Sequence, residues 1–392
     1  MRSDNWCAQR VDDMSAADLR RAEYRPRAAW IQGGAILKGV TKSRAIATYE
    51  AMQREFYVAN QTGLYRETAP VSGGNPFAYV WPHSRALVGT LALAGIDGVD
   101  MRRDVKDRLD ALAWYWDGRA YASYVLPPYG NGGDRYSDDN TWIALALVQA
   151  ERMGLVSPAR RAQQVITYLQ SAWDPHAGGL YWVQQGVGFG LRNHDRGAGA
   201  TAGAAELAFQ LGLHEDGQRM LSWVHATLDS GPSGVGPFLN AVRADGSVDT
   251  NVWSYNQGVM IGAHVAEFRL LGDPRALEKA EAIAHQTLAT FGDFTGQPPS
   301  FNAMCFQNLL MLYSISQDSA LQRAIVSAMQ AYAEWSWDPA TGARDPSNNL
   351  LLFTDSGKPN RGQQAARLQD QGAMVQLYAL LAWRPDDYPL LT

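Results

Sequence analysis

Two aspartates stand side by side, Asp138-Asp139, in the run Tyr136-Ser137-Asp138-Asp139-Asn140-Thr141-Trp142. Carboxylates that close resist joint ionisation, so one of them keeps its proton more firmly than the other. That split supplies a nucleophile and a general acid/base, the pair used by retaining glycosidases at a separation of ~5–5.5 Å. Further along comes Trp253-Ser254-Tyr255-Asn256-Gln257-Gly258. Its rings can stack on a sugar, and its phenol and amides can bond sugar hydroxyls. Both runs also have plainer readings. Asp is favoured at helix starts because the dipole welcomes negative charge, with Ser137 as cap. Ser254 or Asn256 would cap a second helix in the same way. The surroundings of the first run favour chemistry. The helix that follows is apolar on nearly every side from Trp142 to Val148, so its N-terminus opens into protein rather than bulk water. The Gly-rich segment before it, 125–133, suits the wall of a cleft.

Other candidates are weaker. Trp81-Pro82-His83-Ser84-Arg85 begins a further apolar helix, where His83 either meets a ligand or satisfies a backbone carbonyl. Arg192-Asn193-His194-Asp195-Arg196 either lines the cleft or is a solvated charge cluster. The histidines, His194 and His264 among them, have no His-x-x-x-His or Cys partner, so no metal and no cofactor is expected. Gly186-Val187-Gly188-Phe189-Gly190 lacks the spacing of a dinucleotide fingerprint, and neither a P-loop nor Gly-x-Ser-x-Gly occurs. Cys7 and Cys305 are expected to be free thiols.

Helices must position these residues. Apolar spacing predicts them at 42–59, 84–94, 101–116, 138–153, 158–172, 200–211, 216–229, 255–271, 274–291, 302–316, 320–335 and 369–383. Amphipathic and all-round apolar helices alternate, as an outer ring packed on an inner ring would require. A weak repeat supports this: Trp173-Asp174-Pro175-His176-Ala177-Gly178-Gly179-Leu180-Tyr181-Trp182 is echoed by Trp337-Asp338-Pro339-Ala340-Thr341-Gly342. The expected architecture is all-α, an (α/α)6 barrel of six helical hairpins. It forms a single catalytic domain over 1–392 with 1–22 a polar extension; an open helical array is the rival. Long Gly/Pro-rich loops are expected at 65–82, 121–136, 174–199, 230–253 and 337–369, where function tends to sit.

The 392 residues are 46% hydrophobic and 19% charged, the balance of a folded protein. A net charge of -5 argues against nucleic acid or anionic membrane as partner, and no apolar run is long enough to span a bilayer. Thirteen Trp and seventeen Tyr are a heavy load, some of it core, and ring faces also stack on sugars. No secretory signal is visible, so a cytoplasmic location is expected, although a trimmed secreted chain would read the same.

The Asp138-Asp139 pair followed by Trp142, with Trp253-Ser254-Tyr255-Asn256-Gln257-Gly258 downstream, resembles glycoside hydrolase family 76, the endo-α-1,6-mannanases. The resemblance runs from about residue 45 to 383. It implies retaining, endo-acting hydrolysis of α-1,6-linked mannose backbones, with Asp138 as nucleophile and Asp139 as acid/base. The partner implied is α-mannan or a mannose-containing oligosaccharide. Expected substrate contacts are Trp81, His83, Tyr136, Trp142, Arg192, Asn193, Trp253, Tyr255, Asn256 and Gln257. The chain departs from the family in having Arg192-Asn193 where Lys-Asn is common, and in a more charged, Gly-rich stretch at 194–199. The alternatives are a transglycosylase on mannose-containing glycans, an epimerase on the same barrel, which would want a His pair, and a glycan-binding protein without catalysis.

Overall fold

The computed structural model describes residues 31–157, 160–184, 194–360, 362 and 365–392, with side chains from residue 38 onward. The chain divides into Met1–Leu37 and Lys38–Thr392, and the fold is that of the second unit. The extension 1–22, Cys7, the 186–190 glycines and Arg192-Asn193 lie outside the described residues.

Twelve α-helices occur among the described residues: α1 (Ile31–Phe56), α2 (Val80–Ala94), α3 (Arg102–Ala111), α4 (Ser137–Arg152), α5 (Arg160–Ser171), α6 (Ala198–Gln210), α7 (His214–Leu228), α8 (Ser254–Leu271), α9 (Pro274–Phe291), α10 (Pro299–Tyr313), α11 (Ser319–Trp337) and α12 (Leu368–Ala382). Each expected helix is present. The largest differences are an earlier start for α1 and a finish for α3 in the 3₁₀ turn Leu112–Tyr115.

The even-numbered helices form a closed inner ring, each packed on the next: α2, α4, α6, α8, α10, α12 and back to α2. Their sequences permit this because small residues sit where helices meet. A Cβ added at Gly203 of α6 would fall 2.8 Å from the Trp142 ring on α4, and one at Gly258 of α8 would fall 2.6 Å from the Cys305 Cα on α10. Such contacts join residues at similar depth, so the inner helices run parallel and their N-termini share one end of the barrel. The odd helices cover them from outside, burying one stripe each, such as Ala280, Ile283, Ala284 and Thr287 of α9. Arg44 of α1 pairs with Glu334 of α11 at 2.8 Å, and Tyr49 of α1 donates to Asp104 of α3 at 2.7 Å, which closes the outer ring. The result is an (α/α)6 barrel. None of the described helices is long and apolar enough to cross a membrane.

The segments entering the inner helices are more ordered than the expected loops. β1 (Thr68–Ala69) pairs with β5 (Ala366–Arg367), and β2 (Arg196–Gly197), β3 (Ala241–Val242) and β4 (Val248–Asp249) form a second small sheet. Single bridges join Tyr136 to Val183 and Tyr181 to Arg196. Two-residue strands are too short to leave an alternating pattern in sequence. They stitch together the loops around the N-terminal end of the inner ring.

Candidate active site

Asp138 and Asp139 occupy the first turn of α4. Six inner-helix N-termini surround this end of the barrel, and their partial positive charge favours anions there. The expected capping by Ser137 is not found. Tyr136 is the N-cap and makes no side-chain cap, while the Ser137 hydroxyl donates to the Tyr181 carbonyl at 2.7 Å. Ser137 therefore anchors the segment 181–183 beside the aspartates instead of closing the helix.

Asp138 and Asp139 are half-buried as residues, and protein surrounds their carboxyls closely. Burial is the largest influence on each and raises both above the usual carboxylate range, Asp138 to about 6 and Asp139 well above its ordinary value. Their hydrogen bonds separate them. Asp138 Oδ1 accepts from the Asp139 backbone N–H at 2.9 Å, and Asp138 Oδ2 accepts from the Trp182 indole N–H at 3.1 Å. Among the described residues Asp139 has no such donor, and Asp138 repels its charge. A hydrogen bond to an ionised acceptor is worth ~1.5–3 kcal/mol, or about one to two pH units, enough to decide which acid holds the proton. These donors favour the charge on Asp138 and leave the proton to Asp139, which has repulsion to relieve.

The walls come from neighbouring helix starts. Tyr255 on α8 lies near enough to Asp138 for the carboxylate to raise its phenol further, on top of a larger burial effect. Tyr255 stacks obliquely on Phe301 of α10 (4.4 Å between ring centres), and Trp253 meets the same ring edge-on at 5.6 Å. Asn240, just before β3, accepts from the Tyr255 hydroxyl and the Asn256 amide, both at 3.3 Å, and donates to Asp249 at 3.1 Å. Tyr136 packs edge-on against Trp182 at 5.0 Å. Trp81 stands in the first turn of α2 with the Arg85 guanidinium 5.3 Å from its ring. Trp81, Tyr136, Trp253 and Tyr255 all retain accessible surface.

Four of the expected sugar contacts are corrected by burial. His83 is 0% exposed, packed between Tyr65 and Tyr115 with Nε2 3.3 Å from the Arg108 carbonyl. Burial drives its pKa down to about 3, so it is a neutral core residue, as the carbonyl reading held. Gln257 is 2% exposed, and its amide is spent on backbone: it accepts from Phe238 N–H and donates to the Phe238 and Trp253 carbonyls. Trp142 is 6% exposed, one turn deeper than Asp138, wedged against Gly203 and Tyr255. Asn256 is wholly buried and faces Asn240. Neither Ser254 nor Asn256 caps α8; the Ser254 hydroxyl donates to Asn302 Oδ1 and ties α8 to α10.

Sequence reasoning passed over Trp182, Asn240 and Phe301. Trp182 had a signal, since it closes the Trp173–Trp182 repeat, but it read as a turn. It also passed over a histidine pair. His264 Nε2 lies 2.8 Å from His225 Nε2, with Glu267 at 3.1 Å from His264 Nδ1. The partners are too far apart in sequence to form a motif. They line an outward pocket of about 490 Å³ between α7, α8 and α9, ten residues along α8 from its active-site end. That position gives the epimerase reading no support. Among the described residues no three His, Cys, Asp or Glu side chains are arranged to hold a metal ion. Cys305 is buried and free.

The sequence pattern of glycosyl hydrolase family 76 matches residues 40–335. No curated protein matches the chain in sequence. Among solved structures, it is similar to a family 76 glycoside hydrolase (mannosidase) from Bacteroides thetaiotaomicron VPI-5482, at 19% identity and TM-score 0.73, covering 88% of this chain and 98% of that one. An inactive variant of an α-1,6-mannanase of Salegentibacter sp. HEL1_6, in complex with α-1,6-mannotriose, superposes at TM-score 0.68 with 17% identity, over 87% of this chain and 99% of that one. Dfg5 from Chaetomium thermophilum, in complex with glucosamine, is similar at TM-score 0.64 and 16% identity, over 88% and 90% of the two chains.

Proposed function

Because the chain belongs to glycosyl hydrolase family 76, we propose that it is an endo-acting α-1,6-mannanase that retains anomeric configuration. The observation that carries this reading is the unequal pair at the start of α4. Asp138, held ionised by two N–H donors, attacks the anomeric carbon. Protonated Asp139 gives its proton to the departing glycosidic oxygen, and a glycosyl ester forms on Asp138. Ester formation removes the Asp138 charge, so the repulsion that held the Asp139 proton disappears. Asp139 then takes a proton from water, whose oxygen attacks the anomeric carbon and frees Asp138. The partly exposed rings of Trp81, Tyr136, Trp253 and Tyr255 are the surfaces on which mannose units would stack. The substrate class is supported by the Salegentibacter mannanase, a similar barrel whose inactive variant holds α-1,6-mannotriose.

The test is timed product analysis on linear α-1,6-mannan, following anomeric configuration. Early oligosaccharides with retained configuration are expected, and Asp138→Asn or Asp139→Asn should lower kcat by at least about 10³-fold. Inverted products, or near-normal turnover in either variant, would overturn the proposal. Longer products in the presence of a mannose-bearing acceptor would mark transfer, since a sugar hydroxyl can replace water at the second step. Binding without any cleavage would mark a glycan-binding protein.

A further inference from the structure

Nothing about the two aspartates as residue types makes them unequal; the asymmetry comes from what donates to them. Both sit in the same helical turn, both are raised by burial, and each repels the other. One of the two donors to Asp138 is the backbone N–H of its neighbour, which any residue at position 139 would supply. The other is a single side chain from a different part of the fold, Trp182, at 3.1 Å.

We propose that Trp182 is the positioning residue that assigns the catalytic roles, holding Asp138 as the carboxylate so that the shared proton resides on Asp139. This rests on the two-aspartate reading above. The indole is built into place. Its backbone carbonyl accepts from Ser137 N–H at 2.8 Å, and its backbone N–H donates to the Asp195 carbonyl at 2.7 Å. The flanking residues bridge to Tyr136 on one side and Arg196 on the other, and the Ser137 hydroxyl holds Tyr181. Arg196 in turn pairs with Asp174 at 2.9 Å, both nearly buried, which fixes the turn leading into Trp182. The Tyr136 ring closes one edge of the indole. Each oxygen of Asp138 has two lone pairs, so the indole bond leaves one free on Oδ2 for attack. An N–H donor to a carboxylate favours its ionised form, and indole is donor-only, so it cannot accept the O–H of a protonated acid in return.

Trp182→Phe keeps an aromatic ring on the side of Tyr136 and removes the N–H together with the second ring of the indole. In the pH profile of kcat/KM on linear α-1,6-mannan, the acid limb, which reports Asp138, should move up by about one unit. KM at the optimum should change less than about two-fold. An acid limb that stays in place while KM rises would overturn the proposal and make the ring a sugar platform. A second measurement needs no substitution at Trp182. In the unaltered protein, one of the thirteen Trp indole N–H resonances should shift with the same midpoint as the Asp138 carboxyl, and that shift should vanish in Asp138→Asn. Its absence would equally overturn the proposal. Because this titration requires no turnover, it stays decisive if mannan is not cleaved, an outcome that would sink the functional reading alone.

Discussion

Asp139 is expected to destabilise the fold at neutral pH, and the sign follows from linkage. Its pKa is higher in the folded protein than in the unfolded chain. Well below the unfolded value of about 4 both states are protonated and there is no cost; as pH rises toward the folded value, the unfolded state ionises freely while the folded state does not. Asp139→Asn should therefore raise the thermal midpoint at pH 7 by about 1–3 °C, and the gain should shrink to nothing below about pH 3. A gain independent of pH, measured by calorimetry, would contradict the assignment. The same pair should give a bell-shaped activity profile. The acid limb belongs to Asp138 near 6, and the alkaline limb to Asp139.

The inner helices approach each other closely because glycines stand at their crossings. At Gly258 a methyl group would meet the Cys305 backbone 2.6 Å away, which cannot move aside as a flexible side chain would. Gly258→Ala should cost about 1–3 kcal/mol in urea denaturation. Gly39, on the exposed side of α1, has nothing within 4 Å of an added Cβ. Gly39→Ala should stabilise by roughly 0.5–1 kcal/mol through helix propensity alone. If both substitutions had the same sign, close packing of the inner ring would not be what selects glycine at position 258. The helices themselves were legible because 3.6-residue spacing is local. The short strands were not, since their pairing partners lie far away in sequence: β1 pairs with β5, and β2 with β3.

Closing the ring buries polar groups along its axis. Glu206 on α6 is wholly buried with neither carboxyl oxygen hydrogen-bonded, beside a small cavity lined by Arg85, Trp142, Gln149, Asn308 and Gln376. Burial pushes its pKa up to about 8, with Arg269 and Arg152 opposing. By the linkage argument its protonated form is the stable one in the fold. The protein should lose stability as pH rises from about 4.5 to 8. Glu206→Gln should flatten that part of the stability–pH curve, read from denaturation midpoints at several pH values; an unchanged slope would show that Glu206 is ionised and paired. No residue pattern announced this group, because a single Glu in an Ala-rich helix reads as an ordinary polar position.

Contiguous signals were the ones legible in the sequence. Asp138-Asp139 read as an unequal acid pair because the residues are adjacent and begin an apolar helix, and alternating amphipathic and apolar helices foretold two concentric rings. Which side chains face the cleft was decided only by tertiary structure. His83 and Gln257 turned inward to satisfy backbone groups, Trp142 became a wedge between helices, and Trp182 arrived from another loop to bond Asp138. The physical reason is one of range. Helix periodicity and neighbouring charge act within a few residues along the chain. Access to solvent and the donor that tells two like acids apart depend on segments that meet only after the ring has closed.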